Sequence, residues 1–463
     1  MERMTGPDAL MLNMETSTTP MHTLKVAILD SSNRGTPVTL AELRALVPRY
    51  LGHFPRATQR IEALRGHRGR PFWVPDMSFR IAHHIDEHTL PAPGDQSQLD
   101  ELLAALATKR LSRDRPLWAM TLVHGLRGDR QAVVIRVHHA VVDGLAALNC
   151  FRTVTSDSPG ATAAEPNPWS VEDATPPERA EMRAMARRES VRLMRDLPHV
   201  VADVYRTGVA ARRFEQRRAV PHFMGADRTS FNTPSSHRRR CASASIPLAD
   251  VRRVAVATGT TVNGAFHGIV AGAIRAERLA RRERTDRPAV GMFGVCRDLS
   301  SPRRQGNELA TATVYLHTEI VDPVERVRAT ASSCAAAVSL RRQLGFDLTE
   351  HLATYTGRLG PWARPIAAPI APLVMNHITT ANMPGPKEHR WIGDVKVEQW
   401  TSFALAIAPA DVNLTAYSYA GQLSMGLITT PESMADPAAF LGRVQSSLDE
   451  VTSALRTAEV LDR

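Results

Sequence analysis

Residues 132–144, AVVIRVHHAVVDG, join an apolar strand to a histidine pair and an Asp-Gly turn. Residues 132–137 are nearly all apolar and are interrupted by Arg136, a pattern typical of a strand buried on both faces or nearly so. Because side chains alternate across a strand, His138 and His139 are predicted to point to opposite faces. Only one of the two histidines can then easily face a given cavity.

Asp143 and Gly144 lie in the turn after the histidines, before a helical stretch at 145–151. A carboxylate here can fix a histidine tautomer directly, or hold the loop through an arginine such as Arg136. Histidine is suited to take the proton of an attacking alcohol because its unperturbed pKa is about 6.5. The residues alone leave three interpretations open: a general base, a hydrogen-bonded core histidine and a metal ligand. The metal ligand has the least support, because adjacent strand histidines diverge and no Cys or Glu cluster completes a site.

Other catalytic motifs are absent from the sequence. It contains no G-x-S-x-G nucleophile elbow, no G-x-x-x-x-G-K-[ST] phosphate loop and no G-x-G-x-x-G fingerprint. A covalent acyl-enzyme would need an activated serine or cysteine. Direct transfer to an acceptor is therefore the simpler mechanism.

Size and composition indicate a globular protein of two domains. The 463 residues suffice for two cores, and 43% hydrophobic with 22% charged residues excludes a disordered or fibrous chain. The net charge of +10 favours anionic partners without choosing among nucleic acid, lipid headgroups and phosphates. Four cysteines without a CxxC pair indicate neither a disulfide framework nor a zinc site, and fit a reducing cytosol. We expect no signal peptide and no membrane-spanning segment.

Helix and strand signals run through both halves of the chain. Thr39 and Glu42 form a capping box ahead of an apolar helix stripe, and Asp436 with Pro437 begins a closing helix. The other predicted elements are strands at 23–29, 118–123, 132–137 and 314–317, helices at 99–106 and from 262 to about 275, and a hairpin at 415–428 turning at 420–421. Both halves are therefore predicted to be α/β or α+β layers.

The chain divides at a segment of changed composition. Residues 153–177 are rich in Ser, Pro, Ala and Gly without periodicity, which is typical of a linker. An arginine-rich helical pattern follows at 178–218, which Pro198 and Gly208 are expected to kink or divide. The predicted organisation is an N-terminal domain at 1–152, a linker and helical connector at 153–222, and a C-terminal domain at 223–463.

The stretch His138–Gly144 matches the HHxxxDG motif of the CoA-dependent acyltransferase superfamily. From its first residues to its last helix, the chain resembles the bacterial wax ester synthase/diacylglycerol acyltransferase family. The segments that carry this resemblance are Asp8-Ala9 with Glu15-Thr16 and Pro20-Met21-His22, Arg115-Pro116-Leu117-Trp118, Phe231-Asn232, Gly306-Asn307, Asp322-Pro323 with Arg326, Asn382-Met383-Pro384-Gly385-Pro386 and the hairpin at Asn413–Gly426.

The resemblance implies two chloramphenicol acetyltransferase-like domains with a central tunnel, which acyl-CoA and the alcohol enter from opposite sides. It implies transfer of a long-chain acyl group from acyl-CoA to diacylglycerol or a fatty alcohol, with acyl-CoA as a substrate and no cofactor. His139 would be the base, His138 would support it, and Asp143 would orient the loop. The residues implied in substrate binding are Gly144, Pro116, Leu117, Trp118, Asn382, Pro384, Gly385 and Asn413. For the residues at 116–118 and 382–385, packing and a tight turn are at least as good an explanation.

Two positions depart from the family pattern. Gly264 stands where the family has the acid of an Asn-Asp pair, which is expected to loosen a helix or change the contact between the domains. Ala381 replaces a serine and removes a hydroxyl donor, which in an oxyanion hole is worth about 10² to 10³ in rate.

A lipid product implies work at an interface. The helical region at 178–218 is the candidate for lying on anionic lipid, and a solvated helix packed over both domains is the alternative. The apolar segment 365–375 is a second candidate. We expect a cytoplasmic protein bound peripherally to the membrane or to lipid droplets, with no nucleic-acid partner. Two other functions stay open: acyl transfer from a carrier-bound thioester, as in condensation domains, and a non-catalytic lipid-surface protein of this fold.

Overall fold

The computed structural model describes residues 1–461 except 65–68, 162, 222–225, 235, 360–375 and 409. The apolar segment 365–375 lies outside the described residues. Within the described ranges, no helix is both long and apolar enough to cross a membrane.

The described elements form a mixed α/β architecture with two large sheets. The strands are β1 (Glu2–Arg3), β2 (His22–Asp30), β3 (Gln59–Glu62), β4 (Phe72–Pro75), β5 (Ile85–Thr89), β6 (Trp118–Leu126), β7 (Arg130–His138), β8 (Arg240–Pro247), β9 (Val290–Cys296), β10 (Leu309–Tyr315), β11 (Ile378–Met383), β12 (Arg390–Ile392), β13 (Val395–Phe403), β14 (Val412–Tyr419) and β15 (Gln422–Thr429). The α-helices are α1 (Gly6–Met14), α2 (Leu40–Leu46), α3 (Gln96–Thr108), α4 (Gly144–Val154), α5 (Arg179–Arg212), α6 (Leu248–Ala257), α7 (Val262–Ala280), α8 (Pro323–Leu344), α9 (Asp347–Leu359) and α10 (Pro437–Leu461). Four short 3-10 helices lie at Val47–His53, Pro55–Ala57, Ile81–His83 and Arg217–Ala219.

The first six-stranded sheet has the order β12-β13-β2-β7-β6-β5. Its strand β7 pairs antiparallel with both β2 and β6, so the strand before the histidine pair is central. Apolar residues pack on both faces of β7, with Val133 and Val137 in one core cluster and Ala132 and Val134 in another. This burial confirms the strand predicted from the apolar run.

Strands β12 and β13 reach the first sheet from the other half of the chain. β13 pairs antiparallel along β2, with Ser402 opposite Lys25 and Trp400 opposite Ala27. The first sheet is therefore built from both halves, although a linear division of the chain assigns residues 390–403 to the second. That division into three ranges stays a prediction.

The second six-stranded sheet has the order β10-β9-β11-β14-β15-β8. Helices α7, α8 and α10 pack together beside it, and the largest core cluster fills the space between them. The hairpin β14-β15 turns at Ala420-Gly421, where both residues have positive φ. The predicted hairpin is thereby confirmed, as is the closing helix, since Asp436 accepts the Ala439 N–H at 2.9 Å.

Helix α5 connects the two halves. It runs from Arg179 to Arg212 as one helix that contains Pro198, so Pro198 and Gly208 do not divide it, and the predicted kink stays a prediction. Met182, Ala186, Leu193 and Val200 form its buried stripe. Contacts with α8 and α9, including a hydrogen bond from Tyr355 to the Leu193 carbonyl at 2.6 Å, hold the helix on the protein.

Candidate active site

The two histidines at the end of β7 lie in different surroundings, as strand alternation predicts. His139 continues the face of Val133 and Val137, and its backbone N–H donates to the Met21 carbonyl at 2.7 Å. His138 is buried on the opposite face, and its backbone N–H donates to the Leu117 carbonyl at 3.0 Å. Strands β2 and β6 thus fix the backbone of the pair from both sides.

His139 is held by a hydrogen-bonded relay to a remote loop. Its Nδ1 lies 2.8 Å from Oδ1 of Asn307. The Asn307 Nδ2 group donates to Asp8 at 2.8 Å and to the His139 carbonyl at 2.7 Å. Because both amide hydrogens are committed, Oδ1 must be the atom that faces the imidazole and accepts from Nδ1–H. This places the imidazole proton on Nδ1 and leaves a lone pair on Nε2.

The surroundings of His139 keep the imidazole neutral. Burial is the largest influence and lowers the pKa of His139 below its usual range, while the nearby Asp143 opposes this and Lys25 adds to it. A neutral imidazole is the form that can accept a proton. The geometry and the direction of the pKa shift therefore agree on a neutral imidazole with its lone pair on Nε2.

Asp143 holds the loop and does not contact an imidazole nitrogen in any described hydrogen bond. Its Oδ1 accepts the Ala146 N–H at 3.0 Å and caps α4. Its Oδ2 pairs with Arg303 and accepts the Glu308 N–H at 3.2 Å. The arginine that holds the loop is thus Arg303, whereas Arg136 donates to the Lys109 carbonyl at 2.6 Å.

His138 has a neutral, fully enclosed ring. Its Nδ1 accepts the Ala140 N–H at 3.0 Å, and its Nε2 lies 3.8 Å from the Glu15 carboxylate. Arg110 and Arg113 pair with Glu15 at 2.9 and 2.8 Å. Burial lowers the pKa of His138 to about 3. The His138 ring therefore supports the turn by accepting the hydrogen bond from the Ala140 N–H.

An apolar cavity of about 240 Å³ lies along the His139 face of the first sheet. Strands β2, β7 and β13, helix α4 and the turn at 47–57 line it. Val133, Ile135 and Val137 follow one another along this wall and lead to His139 at the strand end. The cavity can therefore take an alkyl chain on the strand face that His139 continues.

Profiles of two protein domains match the chain. The wax ester synthase/diacylglycerol acyltransferase catalytic domain matches residues 4–266, more than half of the 463 residues, and the C-terminal domain of the same family matches residues 305–452. The chain belongs to this family of acyltransferases.

Two similar proteins from Mycobacterium tuberculosis match along most of the chain. One protein provisionally named diacylglycerol O-acyltransferase is 28% identical over 445 residues, which covers 94% of this chain and 87% of the relative. Another with the same provisional name is 29% identical over 485 residues and covers 98% of both chains. The similarity of this acyltransferase to its relatives thus extends over both halves.

Solved structures show the same fold. The wax ester synthase/diacylglycerol acyltransferase from Marinobacter aquaeolei VT8 superposes with a TM-score of 0.71 at 21% identity, covering 98% of this chain and 100% of that one. A trichothecene 15-O-acetyltransferase from Fusarium sporotrichioides superposes with a TM-score of 0.59 at 11% identity, covering 97% and 95%. The two sheet-rich domains expected for this acyltransferase are confirmed.

Gly144 of this acyltransferase permits a close approach from the second half of the chain. Tyr417 of β14 donates its hydroxyl to the Gly144 carbonyl at 3.0 Å. A Cβ at Gly144 would lie only 3.1 Å from that hydroxyl oxygen. Glycine therefore relieves a tight contact with the Tyr417 hydroxyl here, and it is not needed for a positive φ.

The Pro-Leu-Trp segment at 116–118 supports the site from the first half. Leu117 binds the His138 backbone, and Trp118 lines the apolar cavity while its indole N–H donates to the Ala57 carbonyl at 2.8 Å. Pro116 lines a separate, more polar cavity of about 290 Å³. Only Trp118 of these three is thus placed to contact a chain in the apolar cavity.

The turn after β11 packs on α4. A Cβ at Gly385 would lie 2.2 Å from the Ser418 carbonyl oxygen, and the Gly385 N–H donates to the Ser418 hydroxyl at 3.0 Å. Pro384 accepts a hydrogen bond from Arg152 at 3.5 Å, and Asn382 pairs with Ala416 of β14. These contacts give the turn a packing role, and a role in substrate binding stays a prediction.

Asn413 is committed to internal hydrogen bonds. Its Nδ2 donates to the Leu405 carbonyl at 3.0 Å, and its Oδ1 accepts from the Thr415 hydroxyl at 2.9 Å. The side chain is buried beneath the sheet. Among the described contacts Asn413 is therefore a structural residue, and its binding of substrate stays a prediction.

The glycine at 264 has a packing explanation. A Cβ there would lie 2.6 Å from the Ala331 Cβ, and one at Gly268 would lie 2.7 Å from the Val327 Cα. Helices α7 and α8 therefore contact one another too closely for an aspartate. The helix start does not need that acid, because the Thr261 hydroxyl accepts the Gly264 N–H at 3.0 Å.

Three residues around His139 carry no signal of their own in the sequence. Asp8, Arg303 and Asn307 approach the loop from segments about 130 to 170 positions away. Asp8 and Asn307 lie in the segments that resemble the family, but the resemblance does not indicate which residues they contact. Among the described residues no three His, Cys, Asp or Glu side chains come together as a metal site would need.

Proposed function

We propose that this acyltransferase moves a long-chain acyl group from acyl-CoA directly to the hydroxyl of diacylglycerol or a fatty alcohol. His139 is the general base and no acyl-enzyme forms. The observation that carries the proposal is the relay from Asp8 through Asn307 to His139, which places the lone pair on Nε2. Among the described hydrogen bonds, the His138 ring has only the one from the Ala140 N–H to its Nδ1.

Each proton and bond has a place in this reaction. The acceptor hydroxyl gives its proton to His139 Nε2 as its oxygen attacks the thioester carbonyl carbon. The tetrahedral intermediate collapses with cleavage of the carbon–sulfur bond. The imidazolium then returns the proton to the departing CoA thiolate, so that the products are an ester and CoA with a neutral His139.

The loop contacts serve the same step. The Asp143 carboxylate pairs with Arg303 and accepts hydrogen bonds from backbone N–H groups, so its role is to hold the loop. The apolar cavity beside β7 receives the acyl chain, and Val137, two residues before His139, is one of its lining residues. The donor carbonyl is thereby kept close to the base.

The transfer can be tested with purified protein. Labelled palmitoyl-CoA with dioleoylglycerol or hexadecanol is expected to yield triacylglycerol or wax ester, measured by thin-layer chromatography. His139→Ala should lower the rate by about 10² to 10⁴, because it removes the general base. His124→Ala, which changes a histidine of β6 away from the relay, serves as the matched control.

Two outcomes contradict the proposal in different ways. Product formation that survives His139→Ala refutes the mechanism while leaving the activity. Absence of product with every lipid alcohol, together with tight binding of acyl-CoA or lipid, favours a non-catalytic lipid-surface protein, and product from a carrier-bound thioester alone favours condensation-type transfer.

We further propose that α5 binds the surface of an anionic membrane or lipid droplet on the cytoplasmic side. An apolar stripe of α5 lies in solvent beside its buried stripe, with Met194 70% and Tyr205 73% exposed. The members of this exposed stripe are Val191, Met194, Leu197, Val201, Val204 and Tyr205. Contiguous exposed apolar residues of this kind mark an interaction surface.

Arginines beside this stripe supply the charge complementarity. Exposed arginines of α5 include Arg188, Arg192, Arg195 and Arg206. A helix with an apolar stripe and neighbouring cations lies in the headgroup layer of anionic lipid, with the apolar side chains entering the acyl boundary. Such a position brings the site to a water-insoluble acceptor.

Vesicle sedimentation tests this surface. Wild-type protein is expected to bind vesicles of phosphatidylcholine and phosphatidylglycerol more strongly than vesicles of phosphatidylcholine alone. Met194→Glu with Val201→Glu should abolish that binding, whereas Val256→Glu on α6, at an apolar residue that is 82% exposed, should retain it. Equal sedimentation of both variants would refute the assignment to α5.

A further inference from the structure

Lys25 is a buried cation in the wall of the apolar cavity. It lies on β2, is 5% exposed, and lines the same space as Val133 and Val137. Its ammonium group donates to the Ser402 hydroxyl at 2.6 Å and lies 5.6 Å from the centre of the Tyr417 ring. Burial lowers the pKa of Lys25 to about 8, so the group is still mostly protonated at neutral pH.

No carboxylate of the described residues lies within ion-pairing distance of Lys25. Asp143 acts on it at longer range and is itself paired with Arg303. The hydroxyl of Ser402 carries no charge. A buried cation without a counterion is unfavourable, so this wall favours binding of an anion.

Of the other charged residues at the cavity, Arg56 has a carboxylate partner and Arg304 has a hydroxyl acceptor. Arg56 pairs with Glu2 at 2.7 Å, and Arg304 donates to the Thr153 hydroxyl at 2.7 Å. The remaining lining is almost entirely aliphatic and aromatic. Of the described lining residues, Lys25 is thus the buried cation without a carboxylate partner, and it lies among apolar walls.

A second donor lines the same space. Trp400 lies on β13 two residues before Ser402, and its buried indole N–H has no acceptor among the described residues. Trp400 and Ser402 share a face of β13 because side chains alternate along a strand. A carboxylate has two oxygens and accepts from more than one donor, which suits this wall.

We propose that the cavity binds a free fatty acid, with the carboxylate on the Lys25 ammonium and the alkyl chain along the apolar walls. The binding itself does not depend on catalysis. Competition with acyl-CoA follows from it and rests on the proposed function, because the fatty acid fills the space assigned to the donor's acyl chain. The enzyme would then be inhibited where free fatty acid accumulates.

Isothermal titration of the full chain with dodecanoate and with methyl dodecanoate tests the site. The two ligands have the same alkyl chain, and only dodecanoate carries the charge. Wild-type protein is expected to bind dodecanoate about 10-fold to 100-fold more tightly than the ester, the range of a hydrogen bond to a charged group. Equal affinities would overturn the proposal on the wild-type protein alone.

Variants identify the group responsible. Lys25→Met should weaken dodecanoate binding about 10-fold to 100-fold and leave the ester within about threefold. Lys396→Met, at a lysine of β13 outside the cavity, should change neither, and Ala27→Phe should block both ligands by filling the cavity. Unchanged dodecanoate affinity in folded Lys25→Met, checked by its thermal melt, would also overturn the proposal.

The outcomes separate this site from the transfer reaction. His139→Ala is expected to lose ester formation and keep dodecanoate binding. If the wild-type enzyme forms no ester yet binds dodecanoate through Lys25, the fatty-acid site stands and the proposed activity fails. If ester forms and dodecanoate binds no better than its methyl ester, the reverse holds.

Discussion

The two faces of β7 differ in where their supporting residues come from. On the His138 face, Glu15, Arg110 and Arg113 all belong to the first quarter of the chain. On the His139 face, Asn307 holds the imidazole and Arg303 holds the loop, and both belong to the second half.

This difference shows that one histidine is braced locally, while the other depends on how the two halves meet. Backbone contacts add to the dependence, since the Gly306 N–H donates to the Val141 carbonyl at 2.8 Å and the Asp143 N–H donates to the Gly306 carbonyl at 3.2 Å. The active geometry is therefore a property of the assembled chain and not of the motif alone.

The largest expected effect comes from breaking the ion pair between the halves. Arg303→Met leaves the Asp143 carboxylate buried without its cation, which should lower the free energy of unfolding by about 3 to 5 kcal/mol. Urea unfolding measures it. Arg297→Met is the matched control, because that arginine pairs with the exposed Asp347 and should cost at most about 1 kcal/mol.

Equal losses in these two variants would show that the His139 loop does not depend on the second half. A double variant, Arg303→Met with Asp143→Asn, sharpens the result. It should recover part of the lost stability, because no charge is then left buried without a partner.

A smaller effect is expected from Asn307→Ala. Loss of the acceptor for His139 Nδ1–H frees the tautomer and should lower kcat/KM about 10-fold to 100-fold. Because the Asn307 hydrogen bond raises the pKa of His139, its loss should also move the acid limb of the rate profile to lower pH.

Asn149→Ala is the control for this variant. The Asn149 amide donates to the carbonyls of Ser301 and Arg303 at 2.8 and 2.9 Å, so it holds the same segment without contacting His139. The acid limb of the Asn149→Ala rate profile should not move with respect to the wild-type profile. A profile of Asn307→Ala that coincides with the control would assign Asn307 a purely structural role.

The smallest expected effect is a pH dependence of stability on the His138 face. The pKa of His138 is about 3 in the folded protein and about 6.5 unfolded, so the unfolded chain binds more protons between these values. His138 therefore stabilises the fold above pH 6.5, and this contribution is lost as the pH falls toward 3.

His138→Gln should reduce the slope of unfolding free energy against pH in that range by roughly 1 kcal/mol per pH unit. Chemical denaturation at several pH values between 6.5 and 4 gives the two slopes. Identical slopes would mean that the His138 ring is protonated in the fold and that the contrast between the two faces is false.

The local patterns in the sequence predicted much of this geometry. Alternation along the apolar run assigned the two histidines to opposite faces, and the Thr39 capping box is present. The pattern could not give the partners of His139, because Asp8 and Asn307 are polar residues without periodicity and meet it only after folding. It also suggested Arg136 as a loop partner, where the fold supplies Arg303.

The pairing of strands that are distant in the chain could not be predicted from the sequence, for a similar physical reason. A strand pattern shows which residues face a core but not which strand lies beside it, and β13 was assigned to the second half. Comparison with the family pattern indicates only that an acid is missing at Gly264. The structure shows that the close contact with Ala331 makes glycine a packing requirement there. A binding role for Lys25 could not be predicted, because a single lysine in a strand carries no motif.

The entry of β13 into the first sheet also sets an order of events during synthesis. Until residues 395–403 leave the ribosome, β2 has one neighbour, β7, and its other edge is open to pairing with another chain. At about 5 to 20 residues per second, the chain spends tens of seconds between completing β7 and supplying β13. A nascent polypeptide of this kind is exposed to aggregation for that interval, and an N-terminal fragment that ends in the linker would keep the open edge permanently.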